Sequence, residues 1–295
     1  SVVFCAAIRQ SPGGSSRNFG LASLAGVAFN RRMPKRLALL PLFALLIGAA
    51  SPPQFLREAK TVTVGGKTEQ WSLVWEGRPK SICGPQDVEM AITCPCTGFA
   101  YGEMGKLSLV RAAGGREIER MALGPLFTDL PESNSDGLAA MQWRPMRDGD
   151  FDAGQDASPK FLAQVRQRPG PRVMRMADYD HDGQASEFLV QVSAGPCGHT
   201  DYVAVGISKA RPRLHALENA GGQAGPLVMS GSAWQALLTG SGTRRVTVWP
   251  CGDHGAEERS ELVLSAKGGA ITVRQRSYSC PEDGSRERLL SDQPY

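Results

Sequence analysis

Three pairs of consecutive glycines constrain the fold of this chain more than any other feature. They are Gly65-Gly66, Gly114-Gly115 and Gly268-Gly269. Glycine adopts positive φ without steric cost, and turns of this kind join antiparallel strands. The segments beside each pair alternate apolar and polar residues and are rich in β-branched and aromatic side chains, as in residues 70–75 and 270–278. The sequence therefore predicts an all-β fold built from antiparallel hairpins.

The order of elements that follows Trp75 is repeated after Trp249. In each copy the tryptophan begins a cysteine-containing loop, and a strand, a Gly-Gly turn and a second strand follow. Repeated antiparallel meanders are typical of propeller blades. We expect a β-propeller-like arrangement, with a two-sheet β-sandwich as the alternative. One short helix is expected at residues 232–238, and the Asp-, Gly- and Pro-rich stretch 127–160 is interpreted as a surface excursion within one domain.

The first 50 residues have the features of an export signal. A basic segment begins at Met33, an apolar run covers residues 37–47, and Gly48-Ala49-Ala50 closes it, which is the pattern of a cleaved signal peptide. The apolar run is about half of the roughly 20 residues needed to cross a bilayer. We therefore expect residues 33–50 to be a signal peptide and residues 51–295 to be a periplasmic or secreted domain without a membrane span. Residues 1–32 are interpreted as a non-native upstream leader, with a transit peptide as the alternative.

The charge of the expected mature domain differs from that of the whole chain. Residues 1–50 contain six of the 33 Lys and Arg and none of the 29 Asp and Glu, so residues 51–295 carry 27 minus 29, or −2. A nucleic-acid-binding surface needs a concentration of basic residues. The near-neutral composition therefore argues against a nucleic-acid partner.

Six of the seven cysteines fall in the expected mature domain, and an even number behind an export signal predicts three disulfides. The spacing does not choose among the 15 pairings that six cysteines allow. Zinc or copper binding at Cys94-Pro95-Cys96 with Cys83 is the alternative. The six are Cys83, Cys94, Cys96, Cys197, Cys251 and Cys280.

Residues 178–187 carry the most specific chemical pattern in the chain. Three aspartates alternate and Gly183 follows them at the sixth position. Calcium takes about six to eight oxygen ligands, and carboxylates at the first, third and fifth positions converge where the chain turns sharply at the sixth. An Asp-Gly turn that needs no metal is the alternative. The predicted calcium ligands are Asp178, Asp180, Asp182, the Gln184 carbonyl, Ser186 and Glu187.

This segment resembles the DxDxDG calcium loops of integrin-like FG-GAP repeats and of related VCBS-type repeats. In those repeats the loop joins two strands, and strand-like residues 173–176 and 188–192 flank it here. The resemblance is local, and it implies calcium as the cofactor and a repeated β-architecture. The families place the closing acid at the ninth position, where this chain has Ser186, with Glu187 one residue later.

A second candidate site is suggested by two histidines that each follow a Pro-Cys-Gly sequence, His199 and His254. Together with Asp201, Asp253 and Glu257 they could form a metal or acid-base site if the repeat brings both loops together. The alternative is that these residues are ordinary polar side chains on disulfide-bonded turns.

Two functions are compatible with these patterns. The first is an exported, calcium-stabilised β-rich binding or envelope-associated module whose ligand is an unknown protein or carbohydrate. The second is a secreted metal-dependent hydrolase that uses the histidine loops. The chain has no GxSxG, HExxH or P-loop motif, so a non-enzymatic role is favoured over catalysis.

A carbohydrate surface would need exposed tryptophans among Trp71, Trp75, Trp143 and Trp249, although aromatic residues in strands more often pack in the core.

Overall fold

Antiparallel hairpins form most of this protein, and the all-β prediction is confirmed. A computed structural model describes residues 53–82, 101–127, 137–145, 147, 150, 158–194, 199–222, 224–240, 242–281 and 285–295. These residues contain fifteen strands, which pair into four antiparallel sheets. The leader and signal-peptide predictions for residues 1–32 and 33–50 lie outside the described residues.

The N-terminal sheet has the strand order β1-β2-β5-β6 and consists of β1 (Gln54–Val64), β2 (Lys67–Glu76), β5 (Leu107–Ala113) and β6 (Arg116–Ala122). The small sheet has the order β3-β4-β7 and consists of β3 (Lys80–Ile82), β4 (Gly102–Gly105) and β7 (Ala139–Gln142).

The central sheet is organised around β9 (Thr200–Gly206), which pairs with β8 (Glu187–Ala194), β10 (His215–Ala216) and β11 (Val228–Ser230). The C-terminal sheet has the order β12-β13-β14-β15 and consists of β12 (Arg244–Trp249), β13 (Glu258–Lys267), β14 (Ala270–Ser279) and β15 (Leu289–Pro294). The described residues contain two α-helices, α1 (Pro159–Gln167) and α2 (Gly231–Leu238), with short 3₁₀ turns at Gly124–Leu126 and Asp253–Gly255.

Each glycine pair lies in a tight turn between antiparallel strands, as expected. The pairs join β1 to β2, β5 to β6 and β13 to β14, and all six glycines have positive φ. No propeller closure is detected among the described strands, which pair into four separate sheets. Local turn chemistry specifies the hairpins, whereas closure depends on how sheets pack against one another.

The central sheet lies between two apolar cores. Successive side chains of a strand point to opposite faces, and β9 follows this rule. Val203 and Val205 pack with the N-terminal sheet around Trp71. Ala204, from the opposite face, packs with Trp234 of α2 and with the strands of the C-terminal sheet. The central sheet is therefore covered by apolar residues on both faces.

The helix α2 confirms the expectation for residues 232–238, whereas α1 was not expected. Its N-terminus has a clear signal, because the Ser158 hydroxyl accepts a hydrogen bond from the Phe161 amide at 3.2 Å and Pro159 occupies the first turn. No helix in the described part of the chain is long and apolar enough to cross a membrane. Much of the predicted excursion at residues 127–160 lies outside the described residues.

One disulfide is described, between Cys251 and Cys280. It joins the loop after β12 to the end of β14, where the Cys280 amide also donates a hydrogen bond to the Glu257 carbonyl at 3.0 Å. The other four cysteines of the expected mature domain lie outside the described residues. The disulfide therefore fixes one end of the C-terminal sheet.

Replacing both cysteines, Cys251→Ser with Cys280→Ser, should lower the free energy of unfolding. The bond closes a loop with a sequence separation of 29 residues, for which the chain-entropy relation gives about 3–4 kcal/mol. Urea denaturation of the oxidised protein and of the variant measures the difference. Equal midpoints for the two proteins would show that this bond does not restrict the unfolded chain.

Candidate functional site

The acidic loop, residues 178–186, is closed at its base by a short antiparallel pairing. The Ala177 amide donates to the Glu187 carbonyl at 2.8 Å, and the Glu187 amide donates to the Ala177 carbonyl at 3.1 Å. Glu187 is also the first residue of β8. The two ends of the loop therefore lie next to each other at the start of β8.

Three carboxylates converge inside this loop. One oxygen atom from each of Asp178, Asp180 and Glu187 lies within 4.8 Å of the others. Asp180 and Glu187 have no exposed surface. Carboxylates this close repel one another, and burial adds the cost of removing their charge from water.

The hydrogen bonds of the loop leave acceptor capacity inside the cluster. Asp178 accepts bonds from the amides of Asp182 at 3.0 Å and Gly183 at 2.9 Å, and Glu187 accepts one from the Tyr179 amide at 2.9 Å. Asp180 accepts one bond through Oδ1, from the Asp182 amide at 3.1 Å, but its buried Oδ2 has no hydrogen-bond partner. Burying a carboxylate oxygen without a hydrogen-bond donor costs free energy. A hard cation bound to this oxygen would offset that cost.

The environment disfavours the charged form of two of the three acids. Burial, followed by the negative charge of Asp182, raises the pKa of Asp180 from 3.8 to about 6. Burial also raises the pKa of Glu187 from 4.5 to about 8, although the hydrogen bond from Ser186 opposes this shift, and the charge of Asp180 adds a smaller contribution in the same direction as burial. Both shifts are the ones expected for acids gathered without a compensating positive charge.

The side chains of the remaining loop residues have hydrogen-bond partners of their own. The Asp182 carboxylate accepts hydrogen bonds from the amides of Gln184, at 2.7 Å, and Lys209. The Gln184 side chain accepts a bond from the Gly65 amide at 3.1 Å. The Ser186 hydroxyl lies 2.8 Å from both Glu187 Oε1 and the Ile207 carbonyl. The structure therefore brings Asp178, Asp180 and Glu187 together and uses Asp182 and Gln184 to hold the loop.

Contacts from distant segments fix the acidic loop, and sequence reasoning did not identify them. The amides of Gly268 and Gly269, in the β13–β14 turn, donate to the carbonyls of His181 at 3.0 Å and Asp180 at 2.9 Å. The His181 ring contacts the Leu237 carbonyl at 2.6 Å, at the end of α2, and the Lys209 ammonium contacts the Asp182 carbonyl. His181 itself has a positive φ of 54°, which is uncommon outside glycine. The β1–β2 turn of the N-terminal sheet and the β13–β14 turn of the C-terminal sheet therefore both contact the loop.

The described residues of the second candidate site contact other groups. The His199 ring packs edge-on against Trp249 with ring centres 4.9 Å apart, and Asp201 accepts a hydrogen bond from Ser193 at 2.9 Å. Asp253 lies in the 3₁₀ turn after β12, Glu257 is exposed, and the side chain of His254 lies outside the described residues. Within the described part of the chain, the acidic loop is the only group of three or more acidic, histidine or cysteine side chains close enough to hold a metal.

The tryptophans do not form the exposed row that a carbohydrate platform would need. Trp71 and Trp75 are fully buried in the core, and Trp249 is 38% exposed at the end of β12. Trp143 is partly buried beside Tyr101. Their main role in the described structure is packing.

Comparison of the chain with family models, curated proteins and solved structures finds no match. Functional inference therefore depends on the chemistry of the sites themselves.

Gly206, at the end of β9, is required by the path of the acidic loop. A Cβ at this position would lie 2.1 Å from the Ser186 carbonyl oxygen and 2.8 Å from the Cα of Glu187. We expect Gly206→Ala to destabilise the protein by about 1–3 kcal/mol or more, because backbone atoms must move. Gly221→Ala is the matched control, since no atom lies within 4 Å of its Cβ position. Thermal unfolding measures both, and a neutral Gly206→Ala would contradict the close approach.

The charge of Glu187 should make the metal-free protein less stable as pH rises. Because its folded pKa, about 8, exceeds the ordinary 4.5, the unfolded chain releases its proton first, and the free energy of unfolding falls between these pH values. Glu187→Gln removes this titration, so in chelator the variant should melt higher than the unmodified protein at about pH 8 and similarly at about pH 4. Asp180 still titrates in the variant, so part of the decrease in melting temperature with rising pH remains.

Melting temperatures across this pH range check the expectation. Glu258→Gln, at an exposed position of β13, is the control and should keep the slope of the unmodified protein. If the melting temperatures of Glu187→Gln and of the unmodified protein fell equally with pH, the pKa of Glu187 would not be raised in the folded protein.

Proposed function

We propose that this protein is an exported β-domain that binds calcium at the acidic loop and acts as a binding or envelope-associated module. The observation that carries the proposal is the cluster of Asp178, Asp180 and Glu187, in which Asp180 and Glu187 are buried and Asp180 Oδ2 lacks a hydrogen-bond partner. Oxygen-only donors of this kind suit a hard divalent cation such as calcium. Backbone carbonyls and water would complete the coordination shell.

The position of the loop supports a structural role for the ion. The loop contacts the β1–β2 turn through Gln184, the β13–β14 turn through Asp180, and the end of α2 through His181. An ion that fixes the loop would therefore stabilise the junction of several elements. A site with a dissociation constant of about 0.1 mM in about 1 mM calcium contributes about 1.4 kcal/mol.

The Cys251–Cys280 disulfide supports the exported location. Disulfides form and persist mainly in oxidising compartments such as the periplasm or the extracellular space. Calcium is abundant in extracellular fluids at concentrations that fill sites of modest affinity. A calcium ion in the loop would stabilise the β13–β14 turn, whereas the disulfide fixes the opposite end of the same hairpin.

Calcium should raise the melting temperature of the protein relative to chelator by about 3–6 °C, since about 1.4 kcal/mol corresponds to that shift in a domain of this size. The double variant Asp178→Asn with Asp180→Asn should abolish the response, because it removes two of the three converging carboxylates. Differential scanning calorimetry with calcium, with magnesium and with chelator provides the measurement.

The control is Asp201→Asn, which changes an aspartate of the neighbouring β9 that is bonded to Ser193. This variant should keep the full calcium response. The proposal is overturned if calcium leaves the melting temperature of the unmodified protein unchanged, or if the double variant responds as strongly as the control.

A further inference from the structure

An open cleft lies beside the acidic loop, between the small sheet, the central sheet and α2. Its volume is about 390 Å³, within the range of about 300–1,000 Å³ that is usual for small-molecule sites. Its polar lining includes Arg172, Arg175, Gln142, Gln191, Gln235 and Tyr202. The cleft therefore offers cationic groups, amides and a phenol to one ligand.

The charge of the cleft is positive. Arg172 and Arg175 are exposed and form no ion pair with any described residue, and no acidic side chain from the described ranges lines the cleft. Other arginines nearby are paired, such as Arg57 with Glu103 at 2.7 Å and Arg168 with Asp150 at 2.5 Å. Two unpaired guanidinium groups can bind a carboxylate through charge-assisted hydrogen bonds.

The backbone that carries these arginines is held in place. Both oxygens of the Glu58 carboxylate accept hydrogen bonds from it, from the Val173 amide at 2.8 Å and the Met174 amide at 3.1 Å. Arg57 donates to the carbonyls of Gln142 at 2.8 Å and Pro171 at 3.3 Å, and thereby ties β7 to this segment. The backbone from which both arginines project is therefore fixed by these hydrogen bonds.

We propose that this cleft binds an acidic saccharide. Arg172 and Arg175 bind the carboxylate of a uronic acid unit, and the side-chain amides of Gln142 and Gln235 bind the sugar hydroxyls, whereas Gln191 and Tyr202 are bonded to each other. Two such amides in one cleft suit a ligand with several hydroxyl groups better than a simple carboxylate, because each amide can both donate and accept. The assignment names the ligand class of the binding module proposed above, and it rests on that proposed function.

Tyr179 connects the cleft to the acidic loop. It lies between Asp178 and Asp180 in the sequence, it lines the cleft, and its ring packs edge-on against Trp234 at 5.5 Å. Its backbone amide donates to the Glu187 carboxylate. The loop that gathers the carboxylates therefore also forms a wall of the cleft, and saccharide binding is best measured with calcium present.

Isothermal titration calorimetry of the protein in calcium, at low ionic strength, tests the proposal with tri-galacturonate, a neutral galactose trisaccharide and tetraglutamate. Tri-galacturonate should bind about tenfold or more tightly than the other two probes. The variant Arg172→Ala with Arg175→Ala should weaken its binding by about tenfold or more. Arg116→Ala with Arg286→Ala, at exposed arginines that do not line the cleft, should change it by less than about twofold.

Melting temperatures show whether each variant is folded, and the single replacements Arg172→Gln and Arg175→Gln serve if the double variant is not. The proposal is overturned if the unmodified protein does not bind tri-galacturonate, if the control variant loses as much affinity as the cleft variant, or if tetraglutamate binds equally well. A missing calcium response with retained saccharide binding overturns the calcium clamp alone. A calcium response without saccharide binding overturns the cleft assignment alone.

Discussion

The convergence of three carboxylates, two of them fully buried, is the constraint on which the rest of the structure depends. Asp178, Asp180 and Glu187 share a space in which their charges repel and water is largely excluded. Such a group must be protonated or must hold a cation, and the raised pKa values of Asp180 and Glu187 express the same cost. The backbone bonds from the β13–β14 turn keep the loop in this costly arrangement, as is common at functional sites.

The position of the loop follows from the packing of the central sheet. Because β9 is apolar on both faces, the sheet lies between two cores and cannot shift without disturbing both. Gly206 lets the strand approach the Ser186 carbonyl closely. Packing on either side of the sheet thus helps to determine where the acidic side chains point.

Two chemically different features lie side by side in this region. The acidic loop offers only oxygen donors, whereas the neighbouring cleft offers two arginines without ion-pair partners among the described residues. Tyr179 belongs to both, since its amide binds Glu187 and its side chain lines the cleft. A cation in the loop would fix a wall of the cleft, which is a physical basis for combining metal stabilisation with ligand binding in one module.

The sequence by itself determined the hairpins, the short helix α2 and the position of the acidic loop, because Gly-Gly turns, alternation and the DxDxDG pattern act over a few neighbouring residues. It also placed Cys251 and Cys280 among the disulfide candidates, but not as a pair. Only the tertiary structure decided that Glu187 converges with Asp178 and Asp180 while Asp182 bonds to the Lys209 amide. The cleft around Arg172 likewise depends on segments far apart in the chain. These choices depend on strand pairing and side-chain direction, which long-range packing fixes and local patterns do not encode.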